Sequence, residues 1–265
     1  MTKNKITEEK LKIAAKLKEK HGGFFGIGAS ADFVGAGIIY EELAENSTDS
    51  SEKEKFFTMA AETFEMDKSE YALWRSSECY RELFELSIKD DREKATEFQV
   101  MGCDKLKIIK KWNIAGQRYV TLGELFEIDR PEKALEFYQE AVECYSKVPS
   151  YKANLKIVKL KVLLCLIILK KLDQIINMME EENLFEKQEI CMQLCLILKG
   201  SYKEIDESDL KNKEEKELID AILNGEKEEY EEKMKEYQGD THLNVYAQCI
   251  FDMFLESYAL ESELC

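Results

Sequence analysis

Few residues in this chain have the types and spacing that covalent chemistry needs. His21 and His242 are its only imidazoles, and they lie far apart with no metal-ligand or catalytic-triad pattern around either. Eight cysteines are present: Cys79, Cys103, Cys144, Cys165, Cys191, Cys195, Cys249 and Cys265. None forms a CxxC pair, and most sit among apolar residues. Cys191 and Cys195, four apart, share one face of an expected helix. Buried free thiols in a reducing compartment are the expectation. Acidic residues number 54, so close carboxylate pairs arise by composition alone and mark no acid–base site. No GxxxxGK[ST], GxSxG or HExxH occurs. The reading is a protein that is not an enzyme, with no catalytic residue, metal or cofactor.

The elements that would position any binding residue are helices. The chain has 265 residues, 45% hydrophobic and 35% charged, with only 2 prolines and 12 glycines. So few breakers leave too few turns for a β or α/β fold. Thr7 can cap a first helix that Gly22 ends, and Asp90 with Glu93 suggests a capping box for a helix reaching about Ile109. Helices are expected over 111–128, 132–146, 150–170, 172–181 and 184–199. Ser208 can cap one to Leu223, Gly225 and Gly239 bracket another, and Asp240 opens a last one ending near Tyr258. The fold class is therefore all-α, with about twelve helices joined tightly into hairpins. Trp112, Gly116, Tyr119, Ala134 and Tyr138 suggest one tetratricopeptide-like unit. A spacing of about 40 residues to the next pair points to a helical-hairpin solenoid, with a compact bundle as the alternative. The expected division is an array of hairpins over 1–183 and a C-terminal helical bundle with an acidic tail over 184–265.

Two segments depart from this pattern. Residues 22–39, GGFFGIGASADFVGAGII, hold six of the glycines and a single charge, Asp32. Dense glycine disfavours an early helix. The apolar loop exposes Phe24, Phe25 and Ile27 for membrane contact, or else Phe24 and Phe25 tuck under the first hairpin while Phe33–Ile39 begin a core helix. The second departure is charge. Net charge is -16, which disfavours nucleic acid as a partner. Yet residues 147–171 carry seven lysines and no acid, and Lys152, Lys156 and Lys159 fall on one helical face. Lys105, Lys107, Lys110, Lys111 and Arg118 lie one hairpin earlier. Residues 201–236 hold fourteen acids against seven lysines. Solvated helix faces would account for any single lysine; a basic middle and an acidic end suggest two charged partners. The longest apolar run, Val162–Leu169, is too short to span a bilayer, and the N-terminus MTKNKITEEK opens a charged helix rather than a signal peptide.

In order along the chain, AAKLKEKHGGFFG, AAETFEMDKS (60–69), KWNIAGQRYVTLGELFEIDRPEKALEFYQEAVECYS (111–146), YKANLKIVKLKVLLCLIILKKLDQIINMMEE (151–181), ELIDAILNGEKEEYEEKMKEY (217–237) and a penultimate Leu264 resemble the soluble NSF attachment proteins, or SNAPs. The alpha/beta-like branch is closer than the gamma-like one, through the Phe-Phe loop and the KEY segment. The stretch from Phe25 to Ala60 is longer than in the family, residues 184–210 are shorter, and Gln117 stands at a usually basic position beside Arg118.

The resemblance implies an adaptor in vesicle-mediated and intracellular protein transport, such as ER-Golgi transport and the membrane fusion it serves. It would be cytoplasmic and peripheral on the cytosolic face of membranes. A solenoid face with Lys111, Arg118, Lys152, Lys156 and Lys159 would bind the acidic SNARE four-helix bundle. Phe24, Phe25 and Ile27 would touch the bilayer. Asp220, Glu226, Glu228, Glu263 and Leu264 would recruit and stimulate the NSF-type AAA+ ATPase. The alternative is a general tetratricopeptide-like scaffold that binds peptide tails.

Overall fold

A computed structural model describes residues 3–19, 31–205, 210, 212–224 and 227–262. The described residues are all-helical, with no strand. The helices, in chain order, are α1 (Lys3–Lys18), α2 (Phe33–Asn46), α3 (Ser50–Asp67), α4 (Glu70–Ser87), α5 (Arg92–Ile108), α6 (Trp112–Phe126), α7 (Pro131–Ser146), α8 (Lys152–Ile168), α9 (Leu172–Glu181), α10 (Gln188–Lys199), α11 (Lys213–Asn224), α12 (Lys227–Asp240) and α13 (Val245–Ser262). Joints of two to five residues connect most neighbours from α2 to α9, so consecutive helices run antiparallel and pair as hairpins.

Local chemistry sets the helix starts. Asp32, Asp49, Ser69 and Asp91 each accept a hydrogen bond from the backbone N–H three residues on, at 2.7, 2.8, 3.3 and 3.0 Å. Asp91, not Asp90, therefore caps α5. Thr7 lies inside α1, and Asn244 rather than Asp240 opens α13 by accepting from the N–H groups of Tyr246 and Ala247. Ser208 lies outside the described residues. Asp32 also settles part of the apolar segment: it caps α2, so Phe33–Ile39 form the first turns of a helix. Ala36 and Gly37 are buried in α2, and a Cβ on Gly37 would come within 2.6 Å of the Phe64 ring, so glycine here permits close packing on α3.

Three helix ends share one device. After α5, α8 and α10, a residue in the left-handed region closes a pair of reverse hydrogen bonds onto the last turn. That residue is Gly200 after α10, where glycine adopts the conformation without a steric cost, but it is Lys110 after α5 (φ 59°) and Lys170 after α8 (φ 52°). Lysine has a Cβ that disfavours this conformation.

The chain forms two compact units. One comprises Met1–Leu122 and Glu143–Tyr151, the other Gly123–Val142 and Lys152–Cys265. Residues 152–199 thus belong to one unit; α10 packs on both α9 and α13, and α13 packs on α8. In the first unit, α1–α4 enclose Ala14, Tyr40, Phe56, Phe57, Phe64, Cys79, Tyr80 and Leu83. In the second, fully buried side chains include Phe126, Tyr138, Leu163, Ile175, Ile190, Phe251 and Phe254. Among the described residues, no helix is long and apolar enough to cross a membrane.

Candidate partner-binding surfaces

The five basic residues expected to face an acidic partner fall into different environments. Arg118 lies on α6 with its side chain only 7% exposed. It donates to the Ser77 carbonyl oxygen at 2.8 Å and to Glu78 at 2.6 Å, both on α4. Burial pulls its guanidinium below the usual arginine range, against the pull of Glu78. Arg118 is thus an internal tie rather than a surface cation. One step along a helix turns a side chain by about 100°, which leaves neighbouring Gln117 exposed while Arg118 points inward.

Lys111 is partly covered and pairs with Glu70 of α4 at 3.2 Å. Lys159 is paired with Glu182, just beyond α9. Lys152 and Lys156, in the first turns of α8, are exposed and have no carboxylate partner among the described residues. Lys156 also lines an open cleft of about 580 Å³ with Asn183, Phe185, Glu186, Lys187, Glu189, Asn212 and Glu215. The helical face drawn through Lys152, Lys156 and Lys159 is therefore split among the described residues: two ammonium groups without a carboxylate partner and one neutralised in place.

For the expected ATPase contacts, Asp220 is exposed on α11 and accepts from the Asn224 side chain at 2.8 Å. Glu226, Glu263 and Leu264, and the side chain of Glu228, lie outside the described residues, as do Phe24, Phe25 and Ile27.

Several carboxylates that composition made uninformative form defined sites. Glu65, at the end of α3, accepts from the Tyr80 hydroxyl of α4 and from Lys105 Nζ of α5, each at 2.8 Å. Glu127, just after α6, accepts from the Tyr138 hydroxyl of α7 and from Lys161 Nζ of α8, the latter at 3.1 Å. Each clasp ties three successive helices through one glutamate. Burial and the glutamate push both tyrosine hydroxyls far up, so they remain donors. Burial alone would raise Glu127, but the bonds from Tyr138 and Lys161 outweigh it and hold the carboxyl below its ordinary value. A matching signal exists in the sequence: FEMDKSEYAL (64–73) and FEIDRPEKAL (126–135) are alike, each placing the glutamate directly after a fully buried phenylalanine. A third glutamate, Glu215 on α11, is buried and accepts from Lys187, Asn212 and Tyr237 at 2.6, 3.2 and 2.9 Å.

The buried thiols are not poised for chemistry. Cys79, Cys103, Cys144, Cys165, Cys191 and Cys195 are buried, and none is in a disulfide among the described residues. Burial pushes Cys103 and Cys195 up to about 12 and Cys165 to about 11, which leaves almost no thiolate at neutral pH. No cluster of three His, Cys, Asp or Glu residues that could hold a metal occurs among the described residues.

Neither a protein-family model nor a curated protein matches this chain.

Proposed function

We propose that this protein is an adaptor that binds SNARE complexes and brings them to an NSF-type AAA+ ATPase, whose turnover it stimulates. The observation that supports the reading best is the start of α8. There Lys152 and Lys156 stand exposed and without a carboxylate partner among the described residues, within a stretch, 147–171, that holds no acid in a chain of net charge -16. Free ammonium groups on a rigid helix suit a rod-shaped acidic partner, which they would recognise by charge and shape rather than by sequence. Packed helical hairpins give such a face a stiff support. In this reading Phe24, Phe25 and Ile27 touch the cytosolic face of a membrane and raise the local concentration of anchored SNAREs. Asp220, Glu226, Glu228, Glu263 and Leu264 meet the ATPase.

The test is capture of an assembled SNARE four-helix bundle by wild type and by the double variant Lys152→Glu, Lys156→Glu. Reversing two unpaired charges should weaken capture by about tenfold or more at low salt, with the difference shrinking as salt screens it. Equal capture at low salt would reject α8 as the contact.

A further inference from the structure

We propose that a groove walled by α7 and α9 is a second interaction surface, built for a partner polypeptide that presents one apolar side chain beside a basic residue. The groove lies wholly within the second unit. Its lining takes Val142 from α7, Val162 from α8 and Met178 from α9, with Gln139, Lys159, Glu181 and Glu182 around them, and it encloses about 210 Å³. That volume suits a side chain the size of leucine or methionine. A groove this small would hold one anchor, so binding is weak and transient.

The sign of the partner's charge follows from the surroundings. Lys159 is the one cation of the lining, and Glu182 already neutralises it. Glu181 is exposed and has no ion-pair partner among the described residues. Along α9, Glu180 and Glu181 stand with no basic residue on the helix, while its third acid, Asp173, pairs with Lys199 at 2.9 Å. On α7, Glu132 and Glu136 are exposed. An acidic segment would be repelled here, whereas a lysine or arginine flanking the apolar anchor meets Glu181. This surface is opposite in charge to the start of α8, so it goes beyond binding to an acidic helical bundle and needs a different segment or partner.

The experiment uses the full chain labelled with 13C at its methionine methyls, and two blocked hexapeptides, GKLLKG and GELLEG. The Met178 signal is assigned from a Met178→Leu variant. GKLLKG should shift the Met178 methyl and saturate in the millimolar range. GELLEG should bind at least about threefold more weakly, and Glu181→Lys should weaken GKLLKG binding by a similar factor without changing the melting temperature. Capture of a SNARE bundle by Glu181→Lys should match wild type, which separates this groove from α8. A Met178 methyl that stays unmoved at several millimolar GKLLKG, or that responds equally to GELLEG, would overturn the proposal.

Discussion

Replacing Arg118 with methionine separates a structural tie from a partner contact. Methionine keeps much of the side chain's volume and removes only the guanidinium. Two charge-assisted hydrogen bonds disappear, one to the Ser77 carbonyl and one to Glu78. At about 1.5–3 kcal/mol each, their gross loss is roughly 3–6 kcal/mol. Two effects reduce it. Glu78 keeps a second donor, Arg81 Nε at 3.1 Å, and remains 26% exposed, so it is not stranded. The variant also no longer desolvates a buried cation, whose cost is already visible in the lowered pKa of Arg118. The net expectation is about 2–3 kcal/mol of destabilisation, or a fall of roughly 4–12 °C in melting temperature for a chain of this size. Lys111→Met is the control, because its bond to Glu70 joins two largely solvated groups, and it should cost about 0.5 kcal/mol or less. Thermal melts followed by circular dichroism, with SNARE-bundle capture measured well below both midpoints, give the readout. If Arg118→Met melted with wild type yet captured the bundle poorly, the guanidinium would belong to the partner surface and the burial argument would fail.

Two further outcomes follow from the helix joints and clasps. Lys110 occupies a left-handed position that glycine adopts without strain. Lys110→Gly should therefore raise stability by about 0.5–1 kcal/mol in denaturant titration, and a drop would refute the strain. Glu127 has a folded-state pKa below its unfolded one, so its clasp stabilises the fold at neutral pH, and that contribution is lost as pH falls through the depressed folded-state value. The stability gap between wild type and Glu127→Gln should accordingly narrow on acidification below the ordinary carboxylate range; a gap that widened would reverse the assigned shift.

Helix class was legible in the sequence because the apolar spacing and the shortage of breakers are local properties. Pro131 at a first helical position, the apolar stripe from Ala134 to Tyr145 and the joints near 110 and 170 all lie where periodicity put them. So do the buried thiols, since small apolar side chains at inward positions announce themselves by spacing. Charge pairing was not legible. Nothing in the residues around Arg118 tells that Glu78, forty positions earlier, will meet it, or that Glu182 will take up Lys159 while Lys152 and Lys156 meet no carboxylate among the described residues. A helix fixes the direction of each side chain relative to its own axis; only the packing of one helix on the next decides which charges become neighbours. The same holds for Glu65 and Glu127. Their phenylalanine-glutamate setting stands in the sequence, but the tyrosine and lysine that complete each clasp come from the following helices and converge only once those helices are packed.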